Sequence, residues 1–88
     1  TDTLLLCELG ICYAYIGEFD QSLEFYLSAL DIEPQSTEIL SNTAVVYLNM
    51  RDIENAKLYI RKAMEIDPND EIIESTLKAI RTIEEAEK

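Results

Sequence analysis

Ala29-Leu30-Asp31-Ile32-Glu33-Pro34 and Ala63-Met64-Glu65-Ile66-Asp67-Pro68 read A-L-D-I-E-P and A-M-E-I-D-P, 34 residues apart. Sliding the 88-residue chain by that offset aligns residues 3–36 with 37–70 without a gap. Thr3, Leu6, Tyr13, Ala29, Ile32 and Pro34 fall on Thr37, Leu40, Tyr47, Ala63, Ile66 and Pro68. Gly10 falls on Ala44, Ile11 on Val45, Ser22 on Ala56 and Leu30 on Met64, so small stays small and apolar stays apolar. Self-similarity at a fixed period of this size marks a solenoid, whose units bury a core only by stacking.

Each repeat reads as two helices. Thr3–Ile16 is the first, followed by Gly17, which adopts a left-handed cap without steric penalty. Glu18–Ile32 is its partner, stopped ahead of Pro34, because proline lacks the N–H and disfavours helix in the residue before it. Ser36 or Thr37 can cap a third helix reaching about Met50, and Asp52 a fourth reaching about Ile66, before Pro68. Asp70 can cap a fifth, from Glu71 to near Glu87. In it Ile73, Leu77 and Ile80 form an apolar stripe, with Glu74–Lys78, Arg81–Glu85 and Glu84–Lys88 as opposite charges at i,i+4. That is the pattern of a solenoid's closing helix. The small residues Gly10/Ala44, Ser22/Ala56 and Ala29/Ala63 are expected to let helix axes approach, with Leu6, Leu9, Tyr13 and Tyr26 filling the space around them.

The chain resembles the tetratricopeptide-repeat (TPR) family, whose pattern is W-x2-L-G-x2-Y, then A-x3-F, then a later A and P. The first repeat supplies Leu6, Leu9, Gly10, Tyr13, Ser22, Tyr26, Ala29 and Pro34. The second supplies Leu40, Thr43, Ala44, Tyr47, Ala56, Ile60, Ala63 and Pro68, so the departures are Leu for Trp, Ser22, Thr43 and Ile60. The resemblance implies an all-α, right-handed solenoid of antiparallel helix pairs with five helices. It divides the single domain 1–88 into repeats 3–36 and 37–70 and a capping helix 71–88. Because the chain begins at Thr1, it is read as a fragment of a longer chain.

The formal net charge is −11, and all seven basic residues lie at or after Arg51, while residues 1–50 carry eight acids. A nucleic-acid binder needs the opposite balance. No apolar run is long enough to span a bilayer. Cys7 and Cys12 stand roughly 140° apart around a helix of 3.6 residues per turn and cannot pair with each other. With no histidine in the chain, they make no zinc site. Cys12 aligns with Val46 and is expected in the core. Two unpaired thiols fit a reducing compartment, and the chain is expected to be cytoplasmic.

Nothing in the chain reads as catalytic. Neither glycine lies in a phosphate loop or a nucleophile elbow. The stretch Asp67–Glu71 is superficially like a calcium loop, but Ile72 stands where the sharp-turn glycine belongs and Lys78 where the closing Glu belongs. No cofactor or metal is expected.

The resemblance instead implies a protein-interaction scaffold, in which the first helix of each pair lines a concave groove for an extended peptide or a partner helix. Carried onto this chain, the candidate groove residues are Leu4, Cys7, Glu8, Ile11, Tyr15, Asn42, Val45 and Asn49. Ala14, Glu38, Ser41 and Leu48 extend the set, as do Ile72, Thr76, Ala79 and Ile83 of the last helix. One TPR subtype grips the carboxylate-bearing tails of heat-shock chaperones with Lys, Asn and Arg side chains. Only Asn42 matches that set; Cys7, Ile72 and Thr76 stand where cations would be wanted, and Ile11 where a second Asn would be. The expected partner is therefore an apolar or basic protein segment, whose backbone Asn42 and Asn49 can hydrogen-bond.

The first helix, T-L-L-L-C-E-L-G-I-C-Y-A-Y-I, is apolar on nearly all sides. A helix of that kind is normally buried all round, so it is expected to need a cover: an earlier repeat, or a second copy forming a homo-oligomer. Two other roles share the same fold. One is a structural end segment of a longer array; the other is a regulatory appendage of an enzyme such as a glycosyltransferase.

Overall fold

The computed structural model describes residues 2–87 and consists of five helices in one solenoid. They are α1 (Thr3–Tyr15), α2 (Phe19–Ile32), α3 (Thr37–Asn49), α4 (Ile53–Ile66) and α5 (Glu71–Ala86). The expected ends hold to within a residue or so. Asp2, Ser36, Asp52 and Asp70 each accept a backbone N–H of the first turn they precede, at 2.9, 3.3, 3.3 and 2.8 Å. That satisfies donors a helix start leaves open. The Asp67 carboxylate likewise accepts the N–H of Asn69, so the calcium-like stretch spends its acids on the turn and the α5 cap.

The turn inside each pair is built identically. Glu18 N–H reaches Tyr13 O at 2.8 Å and Gly17 N–H reaches Ala14 O at 3.0 Å. In the second repeat, Asp52 N–H reaches Tyr47 O at 2.9 Å and Arg51 N–H reaches Leu48 O at 3.0 Å. This double bond is the Schellman closure, which requires a left-handed residue after the helix. Gly17 supplies it at φ 83°; Arg51, in the same register, is forced to φ 65°.

Two buried clusters hold the stack. Leu23, Tyr26 and Ala29 of α2 meet Ile39 and Val46 of α3. Leu40 and Ala44 of α3 join Ile60 and Ala63 of α4 and Ile73 of α5. The small positions pack as expected. A Cβ on Gly10 would lie 2.8 Å from a ring carbon of Tyr26, and Ser22 Oγ donates to Gly10 O at 2.7 Å across the same helix contact. The second repeat fills the same space with Ala44 and Ile60, a larger residue on one helix and a smaller one on the other. Tyr13–Phe25 and Tyr47–Tyr59 stack at 5.4 and 5.5 Å in equivalent positions.

Two expectations fail. Cys12 is exposed rather than in the core. Val46 is buried only because α2 lies over it, and among the described residues no helix lies over α1 in that way. Of the three charge pairs expected along α5, Lys78–Glu74 forms at 3.9 Å, while Glu84 turns across to Lys57 of α4. No Arg81–Glu85 pair forms among the described residues. Lys88 lies outside them.

Candidate functional site

The odd-numbered helices share one face, and two crevices run along it. Between α1 and α3, a hollow of about 270 Å³ is lined by Ile11, Ala14, Tyr15, Asn42, Val45 and Asn49, with Tyr26 and Val46 at its floor. Between α3 and α5, a hollow of about 430 Å³ is lined by Leu48, Asn49, Arg51, Ala79, Thr82 and Ile83. Asn49 borders both and joins them into one track across the three helices.

The track brings together five of the eight candidate residues: Ile11, Tyr15, Asn42, Val45 and Asn49. The periodicity explains why. Ile11 and Tyr15 are four apart on α1, and Asn42, Val45 and Asn49 lie at steps of three and four on α3, so each set forms one stripe. Tyr15 is 91% exposed, an aromatic ring with almost no neighbour of its own. Leu4 and Glu8 are exposed but lie outside the crevice. Cys7 turns inward and packs on the Leu23–Tyr26–Ala29 cluster. Burial, then the nearby carboxylates of Glu38 and Glu33, push its thiol pKa up.

Ser41 and Thr76 are corrected from groove to core: both are buried, and Ser41 Oγ has no hydrogen-bond partner. Ser41 occupies the same stripe as Cys7, which faces into the stack; Thr76 falls on Asn42 and Glu8 in the repeat register, yet is buried on α5. Arg51 was not foreseen as a lining residue. The signal was present in the alignment, since Arg51 falls on Gly17 and therefore on the turn that closes each odd helix.

The chemistry of the track is apolar contact plus amide hydrogen bonding, with one cation at its α3–α5 end. Asn42 and Asn49 offer donors and acceptors suited to a peptide backbone. Among the described residues, no group of three or more His, Cys, Asp or Glu side chains is placed to hold a metal. No described helix is long and apolar enough to cross a membrane. Two clefts on the opposite side lie between α2 and α4 and between α4 and α5.

A family model described as tetratricopeptide repeat matches residues 5–36 and 37–70. Among curated proteins, the sol locus transcriptional repressor of Clostridium acetobutylicum is 37% identical over 62 residues, 70% of this chain and 20% of its own length. The photosystem I assembly protein Ycf3 of Synechococcus sp. (strain CC9605) is 39% identical over 56 residues, 60% of this chain and 32% of its own length. The chain thus spans a third or less of either relative. Among solved structures, the first TPR domain of Spaghetti (RPAP3), bound to the HSP90 peptide SRMEEVD, superposes with a TM-score of 0.81 at 23% identity. The match covers 96% of this chain and 72% of that one.

Proposed function

The chain belongs to the tetratricopeptide-repeat family, and from that premise we propose that it is a protein-interaction module that takes an apolar or basic peptide segment, or a partner helix, on the α1–α3–α5 track. One observation carries the reading: the exposed Tyr15 ring stands beside Ile11 and Val45, with the amides of Asn42 and Asn49 in the same crevice. Aromatic and aliphatic side chains would bind the segment, and the amides would fix its backbone. The net charge of −11 adds attraction for a basic partner.

The track is unlike a carboxylate clamp. The peptide SRMEEVD held by the structural neighbour is rich in acids. Here Cys7 and Thr76 are turned inward, and Arg51 is the single cation lining the track among the described residues. An acidic tail would find too few partners to offset its desolvation and the surrounding negative field. Panning a displayed peptide library against the protein tests this. Selected sequences should combine apolar with basic residues, and Asn42→Ala with Tyr15→Glu should abolish capture while helicity is kept. Tight binding of SRMEEVD, or capture that survives the double substitution, would overturn the reading.

A second reading is favoured by the outer face of α1, exposed at Leu5 and Ile16: the segment belongs to a longer array and spaces or assembles other parts of the protein. Two unpaired thiols accord with placement in a reducing compartment such as the cytoplasm.

A further inference from the structure

We propose that Arg51 sets the register and direction of an extended segment bound on the α1–α3–α5 track, by taking one carboxylate of that segment at the α3–α5 end. This rests on the peptide-binding reading above and names the residue that would orient the peptide.

Arg51 stands where the backbone favours another residue. It follows α3 at φ 65°, and Gly17 holds the equivalent place after α1 at φ 83°. Glycine closes a Schellman turn without steric penalty in the left-handed region. The arginine adds only its side chain to that turn, and the side chain lines the α3–α5 crevice beside Asn49.

The guanidinium there is exposed and unpaired. Among the described residues no carboxylate comes within ion-pair distance of it. The adjacent Asp52 carboxylate is held by the backbone N–H and the side-chain amide of Asn55, at 3.3 and 2.7 Å. The other described cations are engaged or lie elsewhere. Lys57 pairs with Glu84, Lys78 with Glu74, and Lys62 lies over the Tyr59 ring. Arg61 and Arg81 line the α4–α5 cleft on the far side.

The groups around Arg51 complete a seat for a carboxylate. Asn49 makes no side-chain hydrogen bond among the described residues, so its amide can donate beside the guanidinium. The Thr82 hydroxyl already donates to Lys78 O at 2.9 Å. Leu48, Ala79 and Ile83 give the seat an apolar wall, against which a charge-assisted bond is stronger than in open solvent.

The two crevices therefore select different chemistry. At Tyr15, Ile11 and Val45 apolar contact dominates, and the net charge of −11 favours basic flanks. A carboxylate is attracted at Arg51, and further acids on either side meet the negative field. Packed helices lie about 8–10 Å apart, so successive crevices are spaced by about the same amount. An extended chain advances about 3.3 Å per residue, which puts the carboxylate about three residues from the side chain seated at Tyr15. An Asp or Glu side chain and the segment's own C-terminus offer the same chemistry to the guanidinium.

Panning two random peptide libraries, one with the C-terminus blocked by its carrier and one with it free, against wild type, Arg51→Gln and Arg51→Glu tests the assignment. Circular dichroism and urea midpoints check that each variant folds. Wild-type pools should carry a carboxylate at one fixed position, about three residues from an apolar anchor. It should be an acidic residue in the blocked library, or the terminus itself in the free one. Arg51→Gln pools should keep the apolar and basic residues and lose that carboxylate, and Arg51→Glu pools should exchange it for Lys or Arg. By fluorescence anisotropy, a synthetic copy of the most enriched wild-type peptide should bind Arg51→Gln roughly three- to tenfold more weakly, with Arg51→Lys in between. The same peptide with its carboxylate replaced by an amide should bind wild type and Arg51→Gln alike. Wild-type pools with no fixed carboxylate, or a carboxylate that persists in Arg51→Glu pools, overturn the role of Arg51 and leave the peptide reading standing. Pools indifferent to Asn42→Ala/Tyr15→Glu, or no capture at all, overturn the peptide reading and this assignment with it.

Discussion

Replacing Gly10 by alanine tests the packing between α1 and α2 directly. The added methyl would lie 2.8 Å from Tyr26 Cε2 and 3.0 Å from two further ring carbons. Ordinary carbon contacts begin near 3.5 Å, so the ring or the helix must retreat by roughly 0.5–1 Å. The ring has little room, being 2% exposed in the α2–α3 cluster. Overpacking of this kind costs about 1–3 kcal/mol. Against it stands the helix propensity gained on replacing a mid-helix glycine, about 1 kcal/mol. Gly10→Ala should therefore be neutral to about 2 kcal/mol destabilising, where propensity alone makes it stabilising. The second repeat provides the control, because Ala44 and Ile60 fill the corresponding positions. Tyr26→Ile alone should cost about 2–4 kcal/mol through the cavity it leaves. In the Tyr26→Ile background, Gly10→Ala should become favourable, giving a stabilising coupling of about 1–2 kcal/mol. Urea unfolding of the four proteins, followed by circular dichroism, measures it. Additivity within about 0.5 kcal/mol would refute the reasoning.

Ala63, buried without exposure between α3, α4 and α5, should lose about 1–3 kcal/mol on Ala63→Leu, and an unchanged melting temperature would refute its placement. Arg51→Gly should gain up to about 1 kcal/mol by relieving a left-handed arginine, read as a raised urea midpoint; a loss would mean the side chain contributes more than its backbone strain costs. Burial, with Cys7 and Glu38 nearby, raises the Tyr26 phenol to about 12 from 10.0. The unfolded chain therefore gives up that proton first, so the Tyr26 contribution should be flat below pH 10 and fall by roughly 2–3 kcal/mol as pH approaches 12, on top of a loss that the raised Cys7 thiol begins near pH 9.0. Urea midpoints measured from pH 8 to 12 check this, and a flat profile would mean the ring ionises freely.

The repeat register carried most of the fold. It located the helices, the small residues at close contacts and the proline stops, because each unit solves the same packing problem. It misplaced Cys12 for a physical reason: register copies a residue's direction, while burial depends on whether a neighbouring helix is present. Val46 has α2 over it, while among the described residues no helix covers Cys12, which is exposed. The hexads that reveal the period put Ala29 and Ala63 in the core, pack Leu30 and Met64 against it, close α2 at Ile32 and α4 at Ile66, and end in the turns at Glu33–Pro34 and Asp67–Pro68. At the candidate site, the stripes Ile11/Tyr15 and Asn42/Val45/Asn49 were legible because helical spacing fixes which residues share a face. The inward turn of Cys7, Ser41 and Thr76 was not, since these lie at the edge between face and core, where a small rotation of the helix decides the outcome. Arg51 was hidden because a left-handed turn usually announces itself with glycine.

The measurement that bears most directly on the account is chemical-shift mapping by NMR, with a library-selected peptide titrated into labelled protein. The largest shifts should fall on Ile11, Ala14, Tyr15, Asn42, Val45 and Asn49, and they should vanish in the Asn42→Ala/Tyr15→Glu variant. Shifts confined to α2 and α4, with the α1–α3 crevice silent, would contradict it.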